Sequence, residues 1–243
     1  LENKNQIVVL PTAAGKSLCF QLPSLILTGV TIVVLPLLSL LKDQLLKCKQ
    51  VELQAGVIKG GQSPEERRNI FQEIRERALR LIFTTPEAIS QPRIRDLFRG
   101  IEVAHFVVDE AHCISEWGDT FRPAYLQLQE VFKALGAVTL TAFTATATKS
   151  VIGKIREGLF AGLEANLVLG NPDRPNIHYT VLPVLTKSRA LEGLINSVEP
   201  PLLVFSRSRL GTESMAKIQK RRFPDREIFF YHAGLFSEER NKI

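Results

Sequence analysis

Ile7-Val8-Val9-Leu10-Pro11-Thr12-Ala13-Ala14-Gly15-Lys16-Ser17 joins a β-branched apolar run to a polar turn that ends in Gly-Lys-Ser. The apolar run reads as a buried strand, and the residues after Ser17 open a helical pattern. Strand, glycine-containing loop and helix in that order are the setting a phosphate-binding loop needs. Amides of the loop and of the helix N-terminus then face the phosphates, where the helix dipole also favours negative charge. In this reading Thr12, Ala13, Ala14, Gly15, Lys16 and Ser17 surround a nucleotide's phosphates. Lys16 reaches the β- and γ-phosphates, Ser17 holds a magnesium ion, and Gly15 leaves space for close backbone approach. Leu10 stands where the general pattern has its first glycine, so an ordinary strand-helix turn containing Gly-Lys-Ser is also compatible with this stretch alone.

A second element bears on that choice. Val103-Ala104-His105-Phe106-Val107-Val108 is another apolar run and ends in Asp109-Glu110-Ala111-His112. A carboxylate at the end of a buried strand is costly unless positive charge is close by. A magnesium ion beside the phosphate loop supplies that charge. Asp109 is then expected to coordinate it, and Glu110 to orient and deprotonate an attacking water. His105, inside the strand, reads as a core histidine with a hydrogen-bond partner.

Further out, short apolar runs alternate with helical patterns. Thr31–Leu35, Leu81–Thr84 and Val138–Phe143 read as more buried parallel strands. Ser63-Pro64-Glu65-Glu66 marks a helix start: a cap, a proline at the first position and a capping-box glutamate. Thr148 is a plausible cap for another helix. Right-handed βαβ crossovers and an open, doubly wound α/β sheet follow. Gly170-Asn171-Pro172-Asp173-Arg174-Pro175-Asn176 reads as a linker. Beyond it the alternation restarts, with strands expected at Ile177–Val184, Leu202–Phe205 and Ile228–Tyr231 and helices at Thr186–Val198 and Thr212–Arg222. The expected division is a first domain over residues 1–170, a linker over 171–178 and an incomplete second domain over 179–243.

Composition narrows the class. The 243 residues are 45% hydrophobic and 23% charged, which fits folded domains rather than disorder. The net charge of +6 suits a polyanionic partner, but the basic residues are scattered at spacings that also suit the wet faces of helices. Cys19, Cys48 and Cys113 are far apart and show no paired-ligand spacing, so no zinc site and reduced thiols are expected. The first residues are polar, and the longest apolar runs are too short to span a bilayer. An intracellular, non-secreted protein with no membrane partner is the expectation.

Longer strings add a family resemblance. The DEAH box with Thr144-Ala145-Thr146 downstream resembles the superfamily 2 helicases. Pro36-Leu37-Leu38-Ser39-Leu40-Leu41-Lys42-Asp43-Gln44 looks like motif Ia of the RecQ DNA helicases, and Thr85-Pro86-Glu87 like motif Ib. Ser115-Glu116-Trp117-Gly118-Asp119-Thr120-Phe121-Arg122-Pro123 sits where that family has its aromatic-rich loop. Asp173-Arg174-Pro175-Asn176, Phe205-Ser206-Arg207-Ser208-Arg209 and Tyr231-His232-Ala233-Gly234-Leu235 carry the likeness to the end of the chain. The resemblance implies two tandem RecA-like folds, the second incomplete, with ATP and Mg2+ bound in the cleft between them. It implies ATP hydrolysis coupled to 3′ to 5′ movement on single-stranded DNA and unwinding from junctions or duplex ends, in repair and recombination. Catalysis falls to Lys16, Asp109, Glu110 and His112, and coupling to Trp117, Phe121, Arg122, Thr144 and Thr146. DNA contact falls to Pro36, Lys42, Thr85, Arg207 and His232.

Departures matter too. Ala13 and Ala14 replace glycines usual in the family, and Asp119-Thr120 replaces His-Asp. No adenine-reading glutamine motif precedes the phosphate loop. Motifs V and VI, with the arginine finger, and the zinc-binding and winged-helix regions are expected past Ile243, which would leave a weak or inactive fragment. An RNA helicase or remodeller of the same superfamily, and a nucleic-acid-binding fragment without turnover, stay open. His232 could contact nucleic acid or simply pack.

Overall fold

Neighbouring residues along the strands send their side chains to opposite faces of one sheet, and both faces are buried. The computed structural model describes residues 3–116, 123–137, 139–240 and 242–243. Its strands are β1 (Gln6–Val9), β2 (Val30–Val34), β3 (Ala55–Ile58), β4 (Leu81–Thr84), β5 (Val103–Val108), β6 (Thr139–Thr144) and β7 (Asn166–Leu169). Every pairing is parallel, in the order β3-β4-β2-β5-β6-β1-β7. The first helices are α1 (Leu18–Ile26), α2 (Leu38–Gln50), α3 (Pro64–Arg75), α4 (Pro86–Ile89), α5 (Pro92–Leu97) and α6 (Cys113–Glu116). They are followed by α7 (Leu128–Leu135), α8 (Lys149–Ile155), α9 (Lys187–Ser197), α10 (Arg209–Arg222) and α11 (Ser237–Arg240).

Val8, Val33, Phe83, Val107 and Phe143 point to one face, where Phe20 of α1 and Leu41 and Cys48 of α2 cover them. Phe20 meets Phe83 and Phe143 edge-on, at centroid separations of 6.3 and 6.1 Å. Ile7, Ile32, Val34, Ile82, Phe106 and Leu140 point to the other face, under Phe71 of α3, Ile94 of α5, Val131 of α7 and Ile155 of α8. Emptying a site such as Phe20 to alanine removes about 3–5 kcal/mol by loss of burial and the cavity left behind. Helix starts follow the local chemistry. Ser63 and Glu66 form the reciprocal capping box at α3, and Thr148 accepts from the Val151 amide at α8.

The chain divides into two compact units, Leu1–Arg174 and Pro175–Ile243. The first holds the whole sheet. In the second, α9 and α10 form close to the expected positions, tied by an ion pair of 3.3 Å between Arg222 and Glu192. The segments read as strands of a second sheet form no strand among the described residues. Their apolar side chains lie open, as at Leu203 and Phe205, 82% and 92% exposed. A parallel strand needs paired neighbours and cover on both faces. Here α9 and α10 bury little beyond Ile195 and Gln219, so the alternating pattern has nothing to pack against. Two further strands, β3 and β7, are additions to the sequence reading.

Candidate functional site

In the sheet order β6 lies between β5 and β1, so the loops after these strands leave from adjacent C-terminal ends. The Leu10 amide donates to the Thr144 carbonyl at 3.0 Å, and the Ala111 amide to the Phe143 carbonyl at 2.8 Å. Both loops are thereby fastened to the end of β6.

The first loop turns where the Ala14 amide donates to the Pro11 carbonyl at 3.2 Å. Ala13 and Gly15 both take left-handed backbone, with φ of +64° and +81°. Alternation of that kind curls successive amides toward a common point, an anion-binding concavity. Among the described residues, the amides of Gly15, Lys16 and Ser17 donate to no backbone carbonyl. α1 begins immediately after them and buries Phe20. A sequence-distant side chain completes the loop: Arg174 Nη1 donates to the Thr12 carbonyl at 3.0 Å. Nothing local in the sequence signals that contact, which joins residues 162 positions apart.

Asp109 is 9% exposed, and its amide donates to the Val34 carbonyl at 3.0 Å. Burial, with the Glu110 charge beside it, pushes its carboxyl up to about 6. The Glu110 amide, which donates to Asp109 Oδ1 at 2.9 Å, and the Lys16 and His112 charges oppose this only in part. A carboxylate held this way is short of positive charge. The chemistry of Asp109, a buried carboxylate at a strand end, fits a divalent cation.

Glu110 also has left-handed backbone, φ +49°, and its carboxylate lies 3.3 Å from His112 Nδ1. The same nitrogen is 3.1 Å from Thr144 Oγ1. Thr144 Oγ1 donates to the Thr146 carbonyl at 2.9 Å and accepts from the Thr146 amide at 3.3 Å. His112, Thr144 and Thr146 are linked by hydrogen bonds beyond the ends of β5 and β6, with the Glu110 carboxylate beside the imidazole.

The remaining expected residues fall elsewhere. Pro36 and Thr85 follow β2 and β4, adjacent strands whose ends are joined by the Leu35 amide on the Thr84 carbonyl at 2.9 Å. Pro36 is buried, and the Thr85 hydroxyl accepts from the Ala88 amide as the cap of α4. Lys42 is exposed on α2. Trp117, Phe121 and Arg122 lie outside the described residues. In the second unit Arg207 is exposed, while both ring nitrogens of His232 are engaged, one by Glu213 at 3.0 Å and one by the Gly234 amide at 3.2 Å. His232 thus packs as a tie between α10 and its own turn.

Comparison with known proteins agrees with this geometry. The DEAD/DEAH box helicase family model matches residues 1–154. The helicase RecS of Bacillus subtilis is 35% identical over 99% of this chain and 48% of its own length. The ATP-dependent DNA helicase RecQ of Synechocystis is 33% identical over the whole chain and 52% of its own length. The chain thus spans about half the length of these relatives. The helicase MrfA, in a crystal structure bound to DNA, superposes with a TM-score of 0.69 at 19% identity, over 98% of this chain and 36% of that one. With a Gly-Lys-Ser loop, an Asp-Glu pair and two hydrogen-bonded threonine positions at three adjacent strand ends, and a family model spanning them all, the chain belongs to the DEAD/DEAH box helicases.

Proposed function

We propose that this chain is the ATP-binding core of a RecQ-type DNA helicase. One observation carries the reading: Lys16 lies close enough to the buried Asp109 for its charge to act on that carboxyl, beyond the ends of β1 and β5, in a chain matched end to end by RecQ-type relatives. In this reading residues 1–170 are the first RecA-like domain, residues 171–178 a connection, and residues 179–243 the beginning of a second.

The loop amides and Lys16 bind the phosphates of ATP; Ser17 and Asp109 hold Mg2+. The metal neutralises charge on the phosphates. Glu110 orients water and takes its proton, its carboxylate being held beside His112. His112, Thr144 and Thr146 relay the state of this corner to the end of β6. Single-stranded DNA and duplex or junction ends are the proposed partners, supported by the names of the RecQ relatives and by the DNA in the MrfA structure. The 3′ to 5′ direction rests on the family resemblance alone.

The test is Mg-ATP binding and phosphate release with single-stranded DNA, with RNA and with neither. Lys16→Ala is expected to weaken Mg-ATP binding by about tenfold or more, through loss of charge-assisted contacts. Unchanged binding in a folded variant would remove the phosphate-loop assignment. Equal stimulation by RNA would replace the DNA assignment with an RNA one.

A further inference from the structure

Ala13 poses a physical question. Its φ of +64° is routine for glycine but disfavoured about tenfold for a residue with a Cβ. Such a conformation persists only where surrounding contacts impose it. The local turn, closed by the Ala14 amide on the Pro11 carbonyl at 3.2 Å, holds this peptide from within, and a second contact reaches it from the far end of the first unit, where Arg174 Nη1 donates to the Thr12 carbonyl at 3.0 Å.

The route of the chain back to this point is specifically built. The Gly170 amide donates to the Val9 carbonyl at 2.8 Å, pinning the segment after β7 beside the start of the loop. A Cβ at Gly170 would stand 2.6 Å from Leu10 Cδ2 and 3.3 Å from the Val9 carbonyl, so a larger residue here would have to push the Leu10 side chain aside. Asn171 Oδ1 then accepts from the Asp173 amide at 2.9 Å, turning the backbone immediately before Arg174. Pro175 follows in the sequence and biases Arg174 toward extended backbone.

In a trans peptide the carbonyl and the following amide point in opposite directions. A guanidinium holding the Thr12 carbonyl on one side therefore turns the Ala13 N–H to the other. That amide donates to no backbone carbonyl among the described residues. We propose that Arg174 is a positioning residue for nucleotide binding: it clamps the Thr12–Ala13 peptide plane, keeps Ala13 left-handed and leaves the Ala13 amide aimed at a phosphate oxygen. The proposal rests on the nucleotide-site reading above. It also accounts for how the loop functions with alanine where the resembling family has glycine: the clamp replaces the backbone freedom that Ala13 lacks.

The experiment is equilibrium binding of Mg-ADP to the 243-residue chain, with thermal melting to confirm folding. Arg174→Ala is expected to raise the dissociation constant about three- to tenfold, the worth of one partly exposed hydrogen bond. Arg174→Lys, which keeps a donor, recovers most of the loss. In an Ala13→Gly background the same Arg174→Ala change is expected to cost less than about twofold, because glycine adopts the left-handed conformation unaided. The losses are also expected to be the same at low and high salt. An unchanged constant in Arg174→Ala overturns the proposal. So does an equal loss in both backgrounds, or a loss that vanishes at high salt; either result means that the guanidinium meets the phosphates directly. Failure of the unmodified chain to bind Mg-ADP overturns the nucleotide-site reading, and the clamp with it.

Discussion

Two histidine–threonine pairs bridge β5 and β6, one within the strands and one at their ends. His105 Nε2 lies 2.9 Å from Thr141 Oγ1, and burial pushes that imidazole down to about 4, so it stays neutral. His112 Nδ1 lies 3.1 Å from Thr144 Oγ1, with Glu110 at 3.3 Å and the Thr146 backbone beyond. The residue types are the same, and each imidazole meets a threonine hydroxyl, through Nε2 in the first and Nδ1 in the second. The first pair closes on itself and satisfies two buried polar groups. The second opens onto a carboxylate at one end and a loop at the other, so a change at Glu110 has somewhere to go. Function here comes from what lies beyond the pair.

The largest test of that contrast is Glu110→Gln. The amide keeps the shape but cannot take a proton, so turnover is expected to fall by about 10²–10⁴-fold while Mg-ATP binding is retained. Turnover at the unmodified rate would place the base elsewhere. Next, Thr144→Val cuts the open network, and nucleic-acid stimulation of phosphate release is expected to drop by about tenfold with nucleotide affinity little changed. Equal loss of binding and stimulation would make Thr144 a packing residue like Thr141.

Protonation sharpens the contrast further. Asp109 must be charged to hold a cation, and its carboxyl titrates near 6. Mg-nucleotide affinity is therefore expected to fall as pH drops below about 6, approaching a tenfold loss per unit, and Asp109→Asn should abolish this dependence along with most of the binding. Stability carries the opposite signs. For Asp109 the folded chain binds the proton more tightly than the unfolded one, so its contribution declines as pH rises from about 4 to about 6. For His105 the unfolded chain binds the proton more tightly, so stability is lost as pH falls from about 6.5 toward 4. Melting curves of Asp109→Asn and His105→Leu across this range should separate the two slopes.

The smallest effect belongs to the closed pair. His105→Leu strands the Thr141 hydroxyl and is expected to cost about 1–3 kcal/mol, whereas His105→Leu with Thr141→Val should recover most of that. Neither should alter turnover per folded molecule. A turnover defect in the double variant would show that this pair also belongs to the relay.

The same distinction between local pattern and surroundings explains what could be read in advance. Leu81–Thr84 and Val103–Val108 matched the expected strands residue for residue, because both are β-branched or apolar runs buried on both faces. β3 escaped notice because Gly56 interrupts a four-residue strand; that glycine is there because a Cβ would stand 2.9 Å from Leu79 Cδ1. β7 is an exposed edge strand and lacks a burial pattern. Leu202–Phe205 carries the pattern yet forms no strand, since pairing needs neighbours that the local sequence does not encode. At the candidate site, the positions of Lys16, Asp109 and Glu110 just beyond strands could be read because the apolar runs before them mark those strands. Arg174 could be read as part of a linker and of a family string but not as a partner of this loop, since Thr12 lies 162 residues away.

Cys19, in the first turn of α1, has a practical use. It is the one exposed thiol of the three, with Cys48 and Cys113 buried. Its Sγ lies 3.8 Å from the Gly15 carbonyl, one helical turn from Lys16 and Ser17. A small thiol-reactive fluorophore would therefore attach at a single position without any prior cysteine removal. From there its emission would report, in real time, whether a polyphosphate engages the amides of the neighbouring turn.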